Sequence, residues 1–456
     1  MTELVRPSLR ASAVRATSRP TARAVGLALV WLFVLGNGAA IVWLWIHGGN
    51  LTDKTTGDML TSVARITGLL SAYMALIQVV LLARLPVLER LVGFDRLTVW
   101  HRWNGHATID LVVAHVFFSV WGYALMDKFS IGKEISTMIW GGIYPGMIVA
   151  TIGTALLLAV VATSYVIVRR RLRYEWWYAV HLLAYAGIAL AWFHQIPTGN
   201  ELVLDTVAAD YWRALYVATL ALIVGFRLVA PAVNAFRYRL RVVEIVEEGP
   251  GVVSLRITGR KLGRLRAQPG QFFLWRFLAR GHWWSAHPFS LSAAPDGQSL
   301  RITAKALGDH TAKLGALRVG TRVIAEGPFG VFTDAMRRRE KLLLIAGGIG
   351  ITPVRALVER AKGDVVVLYR ALTDDDVVFR TELDAIGANV HYVVGDHAAP
   401  DGANLLSPGH LVELVPDLAE RDVYLCGPPG MTDATVRHLR KAGVRRRHLH
   451  IERFAL

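Results

Sequence analysis

Two apolar stretches, HRWNGHATIDLVVAH at 101–115 and HLLAYAGIALAWFH at 181–194, each begin and end with a histidine. An imidazole in hydrocarbon is costly without a partner, so histidines within a membrane span are candidate functional residues. Two helices that each present one His near either membrane face carry the ligands for two stacked b-type haems. We therefore predict haem ligation by His101, His115, His181 and His194. The alternative is that each is a hydrogen-bonded polar residue of a helix bundle.

The spacing of these histidines makes a second prediction. His101 and His115 lie ~21 Å apart along a helix and share a helix face, which allows one haem near each leaflet. His181 and His194 miss a common face by ~140° on a regular helix. The sequence therefore predicts a local irregularity between His181 and His194, or fraying at His194 because Pro197 follows.

The chain has an apolar and a polar half. Its 456 residues are 53% hydrophobic, and the mean hydropathy of +0.38 is too high for an ordinary soluble protein. The apolar excess lies before residue 232, where most candidate segments reach the ~20 residues needed to cross the hydrocarbon core. The predicted spans are roughly 25–46, 60–83, 101–125, 146–168, 177–195 and 211–230.

Charge placement predicts the orientation of these spans. The net charge of +16 does not indicate nucleic-acid binding, because the basic residues stand beside apolar segments rather than on one aromatic-interleaved face. Arginine-rich segments follow the second, fourth and sixth spans, so the positive-inside rule places them in the cytoplasm. No signal-peptide cleavage pattern precedes the first span, and residues 1–24 are expected to be a cytoplasmic tail of a multi-pass plasma-membrane protein.

The C-terminal half has the pattern of two smaller domains. Six short strands with Gly and Pro turns predict an antiparallel barrel over 236–336. KLLLIAGGIGITPVRALVERA at 341–361 is an apolar strand, a glycine turn and a helix. Three later apolar strands extend it to a parallel α/β sheet over 337–456.

Two glycine turns end strands of this sheet, at 347–353 and 426–431. Small residues let a backbone approach a phosphate, and the helix after the first turn supplies unpaired N–H groups. Ligands bind beyond the carboxyl ends of parallel strands, where both turns would meet. Arg370 ends the second strand and is a candidate partner for the 2′-phosphate of NADPH, the alternative being a solvated surface arginine. The predicted nucleotide-binding residues are Gly347, Gly348, Gly350, Thr352, Pro353, Arg370, Cys426, Gly427, Pro428, Gly430 and Met431.

The chain resembles the ferric reductase / NADPH oxidase family, including its bacterial flavocytochrome b members, across nearly its whole length after the N-terminal tail. Its C-terminal half is similar to the ferredoxin–NADP reductase superfamily. HPFS at 287–290 and GDHT at 308–311 resemble flavin-binding segments, and GGIGITP and CGPPGM resemble pyridine-nucleotide segments. The resemblance implies FAD contacts from His287, Pro288, Phe289, Ser290, Gly308, Asp309, His310 and Thr311.

The resemblance also implies candidate catalytic residues. Cys426, the lone cysteine, would lie near the nicotinamide, and Phe454 in the ending ERFAL would cover the flavin. The alternatives are an inert buried thiol and a packing aromatic. Arg65, near the outer end of the second span, is a candidate partner for a haem propionate or an anionic acceptor. Its alternative is an arginine that faces lipid headgroups.

We therefore expect an α-helical six-span transmembrane haem domain at 25–235, a cytoplasmic β-barrel FAD domain and an α/β nucleotide-binding domain. The resemblance implies electron transfer from NADPH, or NADH, through FAD and two b-type haems to an acceptor outside. That acceptor stays open between oxygen, a ferric chelate and an extracytoplasmic protein, since Ser119 stands where many superoxide-producing relatives carry a further His. The other function class is a transport or binding module fused to a soluble flavin reductase.

Overall fold

The computed structural model describes residues 20–52, 55–165, 168, 171–172, 174–198, 206–396, 402 and 404–453. Phe454 and the side chain of Asp309 lie outside the described residues. The chain falls into two units, Gly26–Ala230 and Pro231–Leu456 with Met1–Val25.

The first unit is helical. Its apolar segments form long helices because every backbone N–H and C=O must be satisfied internally in lipid. The helices are α1 (Pro20–Trp45), α2 (Thr56–Leu81), α3 (Pro86–Val92), α4 (Phe94–Asp127), α5 (Ile131–Trp140), α6 (Met147–Ser164), α7 (Tyr174–Thr198), α8 (Thr206–Ile223) and α9 (Ala230–Tyr238). Short π-helical segments follow α1 at Ile46–Asn50 and α8 at Val224–Val229.

Six helical stretches of the described residues are long and apolar enough to cross a membrane, which confirms the prediction of a multi-pass membrane protein. They are Arg23–Asn50, Thr56–Leu81, Arg96–Asp127, Met147–Ser164, Trp176–Thr198 and Thr206–Tyr238.

Glycines bring the membrane helices together in pairs. A Cβ added to Gly122 of α4 would lie 2.9 Å from the backbone nitrogen of Thr61 in α2. A Cβ added to Gly153 of α6 would lie 3.0 Å from the carbonyl oxygen of Gly187 in α7. Small residues permit such close backbone contact, which stabilises helix pairs in lipid. The pairs α2–α4 and α6–α7 carry the four candidate ligands on α4 and α7.

The predicted irregularity of α7 is wrong. The helix runs without a break from Tyr174 to Thr198, through His181 and His194, with Pro197 in its last turn. A proline there removes one hydrogen bond only, and the Thr198 hydroxyl donates to the carbonyl of His194 at 2.6 Å. The helix can therefore continue past His194, and His181 and His194 lie on different faces of it.

After α9, the second unit continues with an antiparallel barrel of two three-stranded sheets, as predicted. One sheet has the order β1-β2-β5, and the other has the order β4-β3-β6. Bridges from Arg241 to Arg322 and from Leu291 to Ile302 join the sheets. Trp275, Phe273 and Ile302 are fully buried in its core. The strands are β1 (Arg241–Gly249), β2 (Val252–Thr258), β3 (Phe272–Phe277), β4 (His287–Ser290), β5 (Ser299–Lys305) and β6 (Val323–Phe329).

A five-stranded parallel sheet follows, in the order β11-β10-β7-β8-β9. All residues of β7 and β10 are buried, which explains their unbroken apolar sequences. The fifth strand, LHIER, was missed by sequence because an edge strand need not be apolar. The strands are β7 (Leu342–Gly347), β8 (Val365–Ala371), β9 (Asn389–Val394), β10 (Asp422–Gly427) and β11 (Leu449–Arg453). The helices are α10 (Asp309–Ala312, in the barrel), α11 (Ile351–Val358), α12 (Arg380–Ile386), α13 (Pro408–Leu414) and α14 (Pro429–Lys441).

Candidate functional site

Helix α2 holds both candidate ligands of α4 by backbone carbonyls. Nδ1 of His101 lies 3.1 Å from the oxygen of Gln78, and Nδ1 of His115 lies 2.7 Å from the oxygen of Ala64. Because a carbonyl oxygen only accepts, each Nδ1 must carry the proton, which leaves a lone pair on each Nε2. Protein ligands of metals are commonly oriented in this way, with the second ring nitrogen donating to a carbonyl.

Gly68 makes the contact of His115 possible. A Cβ at this position would lie 2.7 Å from Nδ1 of His115, so any side chain would displace the imidazole. At the other end of the pair, a Cβ on Gly105 would lie 2.9 Å from Nε2 of Gln78. Asn104 braces the same glutamine by donating to its Oε1 at 2.8 Å. Sequence reasoning missed these supporting residues, although a glycine within an apolar span was a signal.

The ligands on α7 have hydroxyl neighbours. Nδ1 of His181 lies 3.3 Å from Oγ of Ser164, which also accepts from Nε1 of Trp177 at 3.3 Å. For His194, Oγ1 of Thr198 lies 3.4 Å from Nδ1 and 3.5 Å from Nε2. Both hydroxyls are suited to orient an imidazole without adding charge to the membrane interior.

The rings of His101 and His181 are neighbours, with centroids 6.1 Å apart and planes tilted by 55°. A metal about 2 Å from one nitrogen of each ring places the centroids roughly 6 Å apart when the ligands are on opposite sides. The pair therefore fits one iron held from both faces. His115 and His194 are also electrostatic neighbours. The structure thus brings His101 close to His181 and His115 close to His194, the pairs that the sequence predicts at the same side of the membrane.

Arg65 has a protein partner. Its Nη1 donates to Oδ1 of Asn50 at 2.7 Å. Asn50 is only 2% exposed and donates in turn to the carbonyl of Trp45 at 2.7 Å. Oγ of Ser62 donates to the Asn50 carbonyl at 2.5 Å. The guanidinium is therefore oriented by a buried amide rather than left to lipid headgroups alone.

Three histidines lie together at the HPFS motif of the barrel, which resembles a flavin-binding segment. His287 lies in β4, paired with Trp275 in β3, and its ring stacks on His310 with centroids 3.6 Å apart. Nδ1 of His282 lies 3.2 Å from Nδ1 of His310. Oγ of Ser285 lies 2.9 Å from Nε2 of His287. The sequence singled out His287 and His310 but missed His282, although it lies only five residues before His287.

This cluster is uncharged at neutral pH around His310. Burial, followed by the neighbouring His287 and His282, lowers the pKa of His310 to about 3. Burial and the nearby Lys313 lower the pKa of His282 as well. An anionic group would reverse both effects, because a neighbouring negative charge favours the protonated imidazole.

The GDHT segment begins the short helix α10. Oγ1 of Thr311 accepts from the N–H groups of Leu307 and Gly308 at 3.0 and 3.1 Å. A Cβ at Gly308 would meet no atom within 4 Å, so the space beside its backbone is open. Open backbone beside the histidine cluster fits the phosphates of a dinucleotide such as FAD.

The two glycine turns of the parallel sheet meet, as expected for adjacent strands β7 and β10. A Cβ on Gly350 would clash with the carbonyl of Cys426, and one on Gly347 would clash with the sulfur of Met431. A Cβ on Gly427 would lie 3.2 Å from Cα of Gly347. Only glycine therefore allows this contact between the turns.

The outer side of the turns is open. Gly348 has φ +53 and, like Gly430, no atom within 4 Å of an added Cβ. Oγ1 of Thr352 donates to the carbonyl of Ile349 at 3.1 Å and closes the first turn. Pro353 is the third residue of α11. Cys426 is fully buried. The open backbone at the carboxyl ends of β7 and β10 fits an approaching phosphate.

Arg370 stands beside the first turn. It pairs with Gly347 across β7 and β8, and its Nη1 donates to the carbonyl oxygens of Ala371 and, at 3.2 Å, Val393. Burial lowers the pKa of Arg370, and Asp396 acts in the opposite direction. A guanidinium remains charged under these conditions, so Arg370 presents a half-buried cation at the nucleotide edge of the sheet.

Three family models match this arrangement. They are a ferric reductase like transmembrane component over residues 67–192, an FAD-binding domain over 237–333 and an oxidoreductase NAD-binding domain over 344–437. Together these matches make the chain ferric reductase-like. This ferric reductase-like protein accordingly combines a transmembrane component with domains of the FAD-binding and oxidoreductase NAD-binding families.

Two relatives of this ferric reductase-like protein are reductase components by name. The glycine betaine monooxygenase reductase subunit of Chromohalobacter salexigens is 27% identical over 48% of this chain and 64% of its own length. The ferredoxin reductase component of 3-ketosteroid-9-alpha-monooxygenase of Mycolicibacterium smegmatis is 31% identical over 47% and 65%. The chain thus spans just under two thirds of these curated relatives.

A solved structure of similar extent is the flavohem-like FAD/NAD binding domain of nitric oxide dioxygenase from Vibrio cholerae O1 biovar El Tor. It is 27% identical, and the match covers 47% of this chain and 98% of that one with a TM-score of 0.41.

Proposed function

We propose that this protein carries electrons across a membrane, from NADPH in the cytoplasm to an acceptor on the outer face. In this proposal residues 25–235 hold two haems, residues 236–336 hold FAD, and residues 337–456 bind the nicotinamide dinucleotide. Bound FAD accepts a hydride as two electrons and releases them singly, and each haem iron carries one electron at a time.

The observation that carries this proposal is the carbonyl contact of His101 and His115. Both imidazoles are protonated on Nδ1 by their contacts with Gln78 and Ala64, so both present Nε2 as an available ligand. Without a metal, a buried imidazole nitrogen in hydrocarbon would lack a partner and would be costly. Iron between His101 and His181, and between His115 and His194, supplies that partner.

The chain's own residues have separate tasks in this reading. The four histidines would hold two haem irons at different depths, and the bound haems would supply one-electron transfer there. The glycine turns admit the dinucleotide phosphates, and Cys426 lies in the strand that ends at the second turn. In this proposal the aromatic ring of Phe454 covers the flavin. Arg65, held by Asn50, places a cation where an anionic acceptor or a haem propionate would be stabilised.

The direction of transfer is supported by charge. Arginines crowd the sequence after the second membrane-spanning stretch and around the end of the sixth, including Arg84, Arg90, Arg237 and Arg239, and such basic flanks remain in the cytoplasm. The acceptor that we favour is a small outer-face oxidant, oxygen or a ferric chelate. Ser119 in place of a further histidine favours the ferric chelate over oxygen. If the acceptor were instead an extracytoplasmic protein, this protein would reduce neither small oxidant efficiently.

The test is an optical spectrum of the purified protein, reduced anaerobically by NADPH and then exposed to air or to a ferric chelate. We expect the reduced bands of low-spin bis-His haem, followed by reoxidation on adding the acceptor. A transport module fused to a flavin reductase would give a flavin spectrum without those bands.

His115→Leu separates the two haems. It should remove one haem and stop acceptor reduction, while flavin reduction by NADPH survives. His106→Leu is the matched control on the same helix, because His106 is not a proposed ligand, and it should retain both haems. Acceptor reduction at the normal rate in His115→Leu would remove the outer haem from the path.

A further inference from the structure

We propose that one end of the FAD barrel binds anionic phospholipid headgroups. This end, which we call the Trp283 face, exposes both aromatic and basic side chains. Its members are Leu278, Arg280, Trp283, Trp284, Val319 and Arg322. The proposal concerns lipid binding and is independent of the haem assignments.

Backbone hydrogen bonds assemble the Trp283 face from segments distant in sequence. The N–H of Leu278, at the end of β3, donates to the carbonyl of Arg322 at 2.9 Å. The N–H of Gly320 donates to the carbonyl of Val242 at 2.7 Å, and the N–H of Val242 donates to Thr321 at 3.0 Å. The loop after β3, the turn before β6 and the start of β1 therefore lie side by side at one end of the barrel.

The apolar residues of this face are unusually exposed. Trp283 is 62% exposed, Val319 is 66% exposed and Leu278 is 44% exposed. Adjacent exposed apolar residues on a soluble domain mark an interaction site more often than a random surface. Tryptophan in particular prefers the boundary between water and lipid, where its ring is partly apolar and its N–H can reach a polar partner.

Charge selects an anionic partner. The two segments 276–287 and 317–323 contain Arg276, Arg280, Arg318 and Arg322 but no Asp or Glu. Arginines next to exposed tryptophans are attracted to the negative headgroups of a cytoplasmic leaflet. This attraction acts within a Debye length of about 8 Å at physiological salt, so the face must lie close to the lipid to benefit from it.

The covalent chain makes a membrane the nearest such partner. The last candidate membrane-spanning stretch ends at Tyr238, and β1 begins at Arg241. Only two residues separate the two elements. The start of β1 belongs to the same barrel end, so this end directly follows a candidate membrane-spanning stretch along the chain. A lipid surface therefore explains the face better than a separate protein partner does.

The loop that carries the tryptophans is anchored at its base. His282, next to Trp283, is only 4% exposed and contacts His310, with 3.2 Å between the two Nδ1 atoms. The residue before Trp283 is therefore fixed in the barrel, so the loop presents Trp283 from an anchored position.

The test uses full-length protein in nanodiscs that contain phosphatidylglycerol and a phospholipid with a spin-labelled headgroup. Val319→Cys places a thiol on the Trp283 face for labelling with bimane, and Glu247→Cys places one near the opposite end of β1, where the side chain is also exposed. The only native cysteine, Cys426, is fully buried and should stay unlabelled. We expect several-fold stronger quenching by the lipid at position 319 than at position 247.

Two further arms decide the chemistry of the contact. Replacing Trp283 and Trp284 by alanine in the Val319→Cys protein should lower the quenching several-fold, as should discs of phosphatidylcholine alone. Equal quenching at positions 319 and 247 would overturn the proposal. So would a label at 319 that is shielded from aqueous iodide but not quenched by lipid, because it would indicate a protein contact. Flavin content and the haem spectrum, measured on the same sample, report folding and the proposed function separately.

Discussion

Arg301 of the FAD barrel forms a bidentate ion pair with Glu382 of the nucleotide-binding domain. Nη1 and Nη2 donate to Oε1 and Oε2 at 2.7 and 2.8 Å, and the side chains are 14% and 31% exposed. Arg355 of α11 reaches the same carboxylate through Nε at 2.7 Å. Burial alone would raise the pKa of Glu382, but the two arginines more than offset it and lower that pKa. The pair fixes the nucleotide domain against the barrel.

Glu382→Gln should loosen this connection. Loss of a charged, largely buried partner is expected to cost about 2 kcal/mol and to slow flavin reduction by NADPH more than it weakens NADPH binding. Thermal release of FAD and stopped-flow flavin reduction measure the two effects. Glu244→Gln is the control, because the Glu244–Arg256 pair is about half exposed on each side and should contribute less than about 1 kcal/mol. Equal effects of the two variants would mean that the interdomain pair has no positioning role.

Gly68→Ala should displace His115 and remove the outer haem. Alanine stabilises a helix relative to glycine by about 1 kcal/mol, so a loss must come from the 2.7 Å approach of Cβ to Nδ1. Haem content per flavin, measured from the pyridine haemochrome, checks it. Gly36→Ala provides the matched control, since a Cβ there meets nothing within 4 Å. A full haem complement in Gly68→Ala would argue against His115 as a ligand.

Arg370→Gln should discriminate between the two nicotinamide nucleotides. If Arg370 contacts the 2′-phosphate, KM for NADPH should rise about tenfold or more, since a hydrogen bond to a charged group contributes about 1.5–3 kcal/mol, while KM for NADH stays unchanged. Steady-state kinetics with both nucleotides measure this difference. Arg380→Gln, at an exposed pair with Asp374, should alter neither. Parallel changes for NADPH and NADH would favour the alternative of a surface arginine.

Asp422 should make the stability of the nucleotide domain depend on acidic pH. Burial raises its pKa, but the neighbouring His450, whose Nε2 lies 3.9 Å from Oδ2, and hydrogen bonds from the N–H of Arg338 and from His448 lower it to about 2 from 3.8. A depressed pKa stabilises the fold above the unfolded value, so the contribution of about 2 kcal/mol is present above pH 4. It should be lost as the pH falls from about 4 to about 2.

Hydrogen exchange of the β10 amides, corrected for intrinsic rates, measures this dependence in the full-length protein. Asp422→Asn should reduce protection at neutral pH and flatten the change between pH 4 and 2. Asp433→Asn, at the half-exposed pair with Arg453, should behave like the natural protein. The same pH slope in Asp422→Asn and the natural protein would mean that another group is responsible.

Local sequence signals predicted most of the elements. Apolar length predicted the six membrane helices, and alternation with Gly and Pro turns predicted the six barrel strands. The prediction failed where the local signal was misleading. Pro197 suggested an early end of α7, but a proline in the last turn removes a single hydrogen bond. LHIER at 449–453 was missed because an edge strand keeps polar residues on its open side.

The sequence predicted which residues form the candidate site, but it did not predict which groups these residues contact. The four histidines stood out because hydrocarbon makes imidazole rare, whereas the groups that orient them carry no sequence signal of their own. Any residue can offer a backbone carbonyl, so Ala64 and Gln78 became visible only when α2 and α4 were packed together. His282 likewise joined the flavin cluster only through the stacking of His287 on His310.

Candidate membrane segments, buried strands and turns could be predicted before any packing was known, because hydropathy, periodicity and glycine act over a few residues. The free nitrogen of each imidazole and the contact between the two glycine turns depend on packing between distant segments. The proton on His115 is fixed by a carbonyl 51 positions away, and the clash that reserves Gly347 for glycine comes from Met431 on another strand's turn. Packing brings residues that are far apart in the sequence into contact, and no local sequence pattern predicts which residues these are.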